Sequence, residues 1–314
     1  MKGLDLCENF YLDFGVPMLR DGFSEIEDLL AVGIGGSGSE CFGYDDDISR
    51  DHDFESGFCI FLPDESLVNR KIEFELERAY SRLPKEYKGF LRSPLSPVGG
   101  NRHGVIRIGE FIKDKTGTPD GVLSLGDWFM LSEQTLLEAT NGRLFRDGLG
   151  LLTSIRERLA YFPDDVRLKK LAGNLLIMGQ AGQYNYARCL SRGETAAAQL
   201  SVIEFVKATV NVLFLLNRRY QPYYKWCFRA LRELPLLSSL HAPLEFLISS
   251  GNGAEVSSEK IRIIEEISRE VIAGLAGQGL SDHKGNQLEA HAYAVNDRIT
   301  DNHIRTLHIL YAIV

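Results

Sequence analysis

At 314 residues the chain is long enough for one large domain or two ordinary ones, and an apolar fraction of 44% with 25% charged residues excludes a disordered or fibrous polypeptide. A net charge of −8 and a sequence pI of about 5.5 argue against generic nucleic-acid binding. Five scattered cysteines, Cys7, Cys41, Cys59, Cys189 and Cys227, show no C-x-x-C spacing, and seven histidines include no H-x-x-x-H pair, so reduced thiols in a cytoplasm are expected rather than disulfides or zinc.

Residues 4–20 form a helix-like lead carrying Leu4, Phe10, Tyr11, Phe14, Val16 and Leu19, which Pro17 is expected to end or bend. Ser24 and Glu27 have capping-box spacing before Ile26, Leu29 and Leu30, although so short a run serves equally as the lead-in to a strand. The apolar residues 29–32 then read as a short buried strand feeding a turn through Gly33, Gly35, Gly36 and Gly38. Glycines reach positive φ and let a ligand approach the amides, and successive exposed N–H groups make a concavity suited to phosphate. The side chain of Ser39 and the amides of Gly36, Gly38 and Ser39 are the expected donors to a nucleotide's β- and γ-phosphates. Asp51 and Asp53 flank His52, twelve and fourteen residues after Ser39. In an extended segment their carboxylates share one face, as needed to hold one or two Mg²⁺ ions, or Mn²⁺ in their place, that in turn hold a triphosphate.

Three other patterns fit parts of this stretch. Gly33, Gly35 and Gly38 satisfy G-x-G-x-x-G with Asp53 twenty residues after Gly33, but a dinucleotide fold needs residues 39–50 to be an amphipathic helix. SECFGYDDDISR has a glycine, three consecutive aspartates and no helical apolar stripe. A calcium loop through Asp45, Asp47 and Asp53 would place Arg50 where glycine is required. A tight turn followed by a solvated acidic loop accounts for each feature singly; the coincidence of Gly-Ser turn, spacing and paired acids favours chemistry.

Gly38-Ser39, Gly43 and Asp51-His52-Asp53 together resemble the signature of the polymerase-β-type nucleotidyltransferase superfamily. The phrase GSGSECFGYDDDISRDHDF is closer to one bacterial, nucleotidyltransferase-like branch labelled as a domain of unknown function. So are Leu125-Gly126-Asp127-Trp128, Leu159-Ala160-Tyr161-Phe162-Pro163-Asp164-Asp165-Val166 and Arg219-Tyr220-Gln221-Pro222-Tyr223-Tyr224-Lys225-Trp226. The resemblance implies NMP transfer from an NTP, with a third carboxylate on a following strand, and brings no substrate with it.

Residues 56–63 read as a strand continuing the one that carries the paired acids, 65–83 as a surface helix, 93–103 as a Pro/Gly loop and 104–108 as another strand. That last strand carries Arg107 where the resemblance implies a carboxylate, and the nearest acid is Glu110 just beyond it, a weak candidate catalytic base. Ser124 and Asp127 are spaced to cap a helix over 127–139, and Asn141-Gly142, Leu144-Phe145 and Asp147-Gly148 read as turn, strand and turn.

A domain boundary is expected near residue 150. Beyond it, residues 151–159, 164–188, 194–217, 222–234, 240–249, 259–275, 287–298 and 301–313 have helical length or spacing. The 194–217 segment is apolar on several faces, as in the central helix of a bundle; its core, 202–216, contains Glu204, Lys207 and Asn211 and reads as too short to span a bilayer. With no basic, apolar secretory signal at its start, the chain is expected to have no membrane partner. Arg219, Tyr220, Tyr223 and Lys225 either pack and solvate the bundle or, as the resemblance implies for small-molecule nucleotidyltransferases, supply cations and aromatics to the nucleotide.

The expected fold is therefore α/β plus α, with a nucleotidyltransferase-like α/β domain over 1–150 and a helical bundle over 151–314. The expected function is Mg²⁺-dependent transfer of an NMP from an NTP, ATP first among donors, to a hydroxyl or similar group, most simply of a small molecule. The alternatives are an RNA- or protein-modifying nucleotidyltransferase and a non-catalytic nucleotide- or partner-binding protein.

Overall fold

The computed structural model describes residues 1–48, 55–92 and 103–313. They form two compact units, one of Met1–Asp127 with Leu131–Ala160 and the other of Trp128–Met130 with Tyr161–Val314. The first combines a small mixed sheet with helices, and the second is helical.

The first unit opens with α1 (Gly3–Phe10), a π-helical turn (Tyr11–Gly15) and α2 (Val16–Gly22). Pro17 does not end this helix. It sits in the first turn of α2, directly after the π turn, where a missing N–H is tolerated. A 3₁₀ turn at Glu27–Leu29 leads into β1 (Ala31–Ile34), so residues 24–30 are the lead-in to the strand and not a helix.

β1 pairs antiparallel with β2 (Cys59–Leu62), Val32 opposite Ile60. Its core face carries Val32, which packs with Ile60, Leu62, Phe58, Phe10 and Tyr11 and, from α3 (Arg70–Ser81), Leu76 and Tyr80. Asn69 caps α3 by accepting from the Lys71 and Ile72 amides. A two-residue hairpin, β3 (Glu86–Tyr87) and β4 (Phe90–Leu91), turns through Lys88 and Gly89 at positive φ and went unread in the sequence.

Tyr80 is wholly buried and its hydroxyl accepts from the Phe58 amide at 3.1 Å. Burial pushes its phenol far above the ordinary value. Because the folded pKa is raised, the stabilisation is present below the unfolded pKa of about 10 and is lost as pH rises beyond it. Tyr80→Phe, which strands the Phe58 amide, should cost about 1–3 kcal/mol in urea unfolding at pH 7. The gap to wild type should narrow above pH ~10. A gap constant from pH 8 to 11 would contradict this.

β5 (Gly104–Arg107) joins the far side of β2 in parallel, and β6 (Arg143–Asp147) pairs antiparallel with the other side of β1, giving the order β5-β2-β1-β6. The strand ends at Arg107, one residue earlier than its apolar pattern suggests, because Ile108 begins α4 (Ile108–Thr116). The helix expected over 127–139 is two: α5 (Leu125–Met130), opened by the Ser124/Asp127 capping box, and α6 (Glu133–Thr140), started anew by Ser132, whose hydroxyl accepts from the Thr135 amide. α7 (Leu151–Leu159) completes the unit.

The second unit runs through α8 (Asp164–Met178), a π segment (Gly179–Tyr186), α9 (Ala187–Ser191), α10 (Thr195–Leu216), α11 (Tyr224–Arg232), α12 (His241–Ser249), α13 (Ala254–Gly277), α14 (Leu288–Asp297) and α15 (Asn302–Thr306). α8 packs against α10 and α14, and α10 also against α12 and α13. α10 runs 22 residues and is long and apolar enough to cross a membrane, contrary to the short span read from 202–216, but it is mostly buried within the unit, as a bundle's core helix is. The helix expected over 301–313 stops at Thr306. The following residues are held as a turn, with the Leu307 carbonyl accepting from buried Lys169 at 2.6 Å and Gly173 of α8 leaving room for Ile313. Lys169 also donates to Asn296 and to the Arg305 carbonyl, so three neutral acceptors compensate its burial.

Candidate functional site

β1 delivers the chain from its fully buried last residue, Ile34, into the glycine turn. Gly36 has φ +122°, a conformation costly for any residue with a Cβ. Its N–H donates to Asn141 Oδ1 at 2.8 Å and its carbonyl accepts from Asn141 Nδ2 at 2.8 Å, a two-bond clamp. Asn141 reaches it because β6, which begins two residues later, pairs with β1. Downstream the turn curls on itself, with the amides of Cys41, Gly43 and Tyr44 donating to the carbonyls of Gly38, Glu40 and Ser39.

Between the clamp and the curl, the amides of Ser37, Gly38 and Ser39 donate to no group among the described residues. Gly38 is buried, and burial raises the cost of a backbone donor left without an acceptor. Three successive uncommitted donors are what an anion-binding nest requires. One member of the expected donor set changes: the Gly36 amide serves the clamp, whereas the amides of Ser37, Gly38 and Ser39 have no acceptor among the described residues.

Asn141→Ala should cost about 1–3 kcal/mol, since it strands a buried donor and a carbonyl together. Urea unfolding of the variant checks this, and a loss under ~0.5 kcal/mol, the scatter of neutral surface changes, would contradict the clamp.

The acidic run divides by role. Asp45 is buried, accepts from the Gly3 amide at 2.9 Å and lies 3.4 Å from the Lys2 ammonium, so it caps α1 from a distance in sequence. Asp46 and Asp47 are exposed. Asp51 and Asp53, the expected metal ligands, lie outside the described residues. Among the described residues no group of three or more His, Cys, Asp or Glu side chains is arranged to hold a metal ion.

The strand position implied to carry a carboxylate has a structural occupant. Arg107 donates to the carbonyls of Pro63 and Val68 at 2.9 and 3.1 Å and pairs with Glu73 at 2.5 Å, tying β5 to the loop before α3 and to α3 itself. Glu110 lies exposed in the first turn of α4, where the helix dipole favours an acid without any catalytic demand. A carboxylate–imidazole pair that sequence reading passed over, Glu55 and His103, lies nearer the core of this unit. Glu55 Oε1 is 3.6 Å from His103 Nδ1, both side chains are nearly buried, and Gly57 leaves room for the imidazole.

Arg156 was also missed. It belongs to the inward stripe of α7 with Leu152, Ile155 and Leu159, and a lone cation at that spacing was the available signal. A Cβ on Gly35 would stand 2.7 Å from Arg156 Nη2, so the guanidinium lies directly against the first residue of the turn. Burial lowers its pKa from the ordinary value, with Cys41 and Asp147 acting in the opposite direction.

Arg219, Tyr220, Tyr223 and Lys225 all belong to the second unit. Tyr220 is buried in an aromatic cluster, its ring 4.9 Å from Phe162 and 5.3 Å from Tyr161. The Tyr223 ring lies 4.1 Å from that of Tyr224 at a tilt of 43°, Lys225 lies 4.9 Å over the neighbouring Trp226 ring, and Arg219 is exposed. A cavity of about 310 Å³ in this unit borders the π segment and is lined by Gln180, Gln183, Tyr184, Asn185 and Gln287. Gln183 is fully committed there, to Glu265, the Asn286 carbonyl and the Leu288 amide.

Residues 128–227 match the family model described as a domain of unknown function, DUF4037. The match takes in Asn141, which clamps the glycine turn, and Arg156, which lies against it. No curated protein matches the chain.

Proposed function

We propose that this protein is a nucleotidyltransferase of the polymerase-β type that moves an NMP from an NTP, in the first instance ATP, to a hydroxyl or similar group of a small molecule and releases pyrophosphate. The observation that carries this assignment is the clamped glycine turn, in which the amides of Ser37, Gly38 and Ser39 have no acceptor among the described residues. These donors fit a β,γ-phosphate group, and the clamp fixes them before the ligand arrives, so little ordering entropy is lost on binding. Asp51 and Asp53 would hold Mg²⁺, which when bound supplies charge neutralisation at the phosphoryl oxygens. The chain's own part is to fix the phosphate chain in the turn so that acceptor and donor are held in a reactive geometry. Arg219, Tyr223 and Lys225 are exposed groups of the second unit with chemistry suited to a base or acceptor.

One observation favours a second assignment, a nucleotide-binding protein without transfer. The strand that the superfamily resemblance would furnish with a third carboxylate carries Arg107, whose guanidinium is spent on structural bonds. The two are separated by incubating the protein with α-phosphate-labelled NTPs, Mg²⁺ and a small-molecule extract. Label moving from NTP into a new product with release of pyrophosphate supports transfer. Retention of all label in intact NTP, with saturable NTP binding, supports the second assignment instead.

A further inference from the structure

The strongest unexplained group in the first unit is Arg156. Its Nε and Nη2 are buried and have no hydrogen-bond partner among the described residues. Other largely buried arginines are paired: Arg107 with two carbonyls and Glu73, Arg146 with Glu27 and Asp28, Arg167 with Asp164. Among the described residues the carboxylate that acts on Arg156 at a distance, Asp147, is occupied in accepting from the Thr153 amide and hydroxyl, each at 2.7 Å. A buried, unpaired guanidinium is strongly unfavourable unless an anion completes it. The apolar stripe of α7 nevertheless carries it inward, and Gly35 lacks the side chain that would displace it. Two to four residues along the chain from Gly35 stand the amides of Ser37, Gly38 and Ser39, which have no acceptor among the described residues.

We infer that Arg156, with the amides of Ser37, Gly38 and Ser39, forms a binding site for a phosphate chain that grips it without a metal ion. Identifying that chain as the nucleotide's di- or triphosphate rests on the proposed function; the anion site itself does not. The planar guanidinium offers two parallel N–H donors to one phosphate, and the amides offer donors to the next. In transfer, Arg156 would hold the leaving pyrophosphate portion while its bond to the α-phosphorus breaks, the acceptor oxygen forms the new bond and the acceptor's proton passes to solvent.

The test is calorimetric titration of the full chain with inorganic pyrophosphate and tripolyphosphate, with a chelator present. Wild type should bind tripolyphosphate, the Arg156→Met variant at least about tenfold more weakly, and Arg156→Lys in between, because an ammonium keeps the charge but not the fork. The double variant Asp51→Asn/Asp53→Asn should bind no more weakly than wild type, because it removes two negative charges that the proposed function sets beside the phosphates. No metal-free binding by wild type at millimolar ligand, or equal affinity in wild type and Arg156→Met, overturns the site. Should Arg156→Met fail to fold, Arg156→Lys decides alone: affinity equal to wild type overturns the site, and a severalfold loss supports it. Polyphosphate binding lost in Arg156→Met, with no transfer of NTP label by wild type, leaves this site standing while the transferase assignment falls. Label transfer and polyphosphate binding both undiminished in Arg156→Met leave the transferase assignment standing while this site falls.

Discussion

Asp53→Asn is expected to reduce Mg²⁺-dependent NMP transfer by about a hundredfold to a thousandfold, the loss typical of removing one charge-stabilising group from a phosphoryl or acyl transfer site. Asparagine keeps the size of the side chain and one carbonyl oxygen but gives up the negative charge that a hard divalent cation needs. The described elements of the first unit draw on other residues: Asp45 caps α1, Arg107 ties β5 to α3, and Asn141 clamps the turn. The unfolding midpoint should therefore stay close to that of wild type. Initial rates of pyrophosphate release together with thermal unfolding check both halves. Full metal-dependent activity in the variant would remove Asp53 from the site, and collapse of the fold would make it a structural residue.

Gly142→Ala is expected to be among the most damaging single changes in the first unit, at about 4 kcal/mol or more, in the range reserved for strained or overpacked sites. A Cβ there would fall 1.9 Å from the Ile34 carbonyl oxygen and 2.8 Å from Gly35 Cα, and the residue has φ +76°. These neighbours are backbone atoms of β1 and of the turn's first residue, so no side-chain rotation relieves the clash. Relief would require β6 to separate from β1 where Asn141 must reach Gly36, so the glycine turn should lose its clamp as well. Gly150→Ala is the control: its φ is +66° but nothing lies within 4 Å of an added Cβ, leaving a backbone penalty of about 1 kcal/mol. Equal urea midpoints for the two variants would contradict the packing account.

Features decided by neighbours in the chain were legible in the sequence. The apolar run before the glycines gave a buried strand, though it lies over 31–34 and not 29–32 and takes in Gly33; the Ser124/Asp127 spacing gave a capping box, and the periodicities of α7 and α10 gave helices within a residue of those observed. Local patterns misled where two short-range preferences competed. Ser132 could extend a helix or start a new one, and it caps; Pro17 could break a helix or begin one, and it sits in a first turn. Features decided by partners far along the chain were not legible. The commitment of the Gly36 amide depends on Asn141, 105 residues away, and the burial of Arg156 depends on Gly35. The helical spacing that buries Leu152, Ile155 and Leu159 was nonetheless visible, and Arg156 was its one charged inward member. A cation placed in an apolar stripe asks for a partner, and the expected phosphate turn was the place to look for one.

The central claim is that the glycine turn and the paired aspartates bind a nucleoside triphosphate together with Mg²⁺. It is tested most directly by titrating ATP, GTP, CTP and UTP into wild type and into Asp51→Asn/Asp53→Asn, each with and without Mg²⁺, and following thermal stability. Ligand at about 100 times its Kd stabilises a folded protein by roughly 2.7 kcal/mol, which is readily measured. The account predicts stabilisation by at least one NTP that is enhanced by Mg²⁺ in wild type and loses that enhancement in the double variant. Stabilisation that is the same in both proteins and indifferent to Mg²⁺, or no response to any NTP, would contradict it.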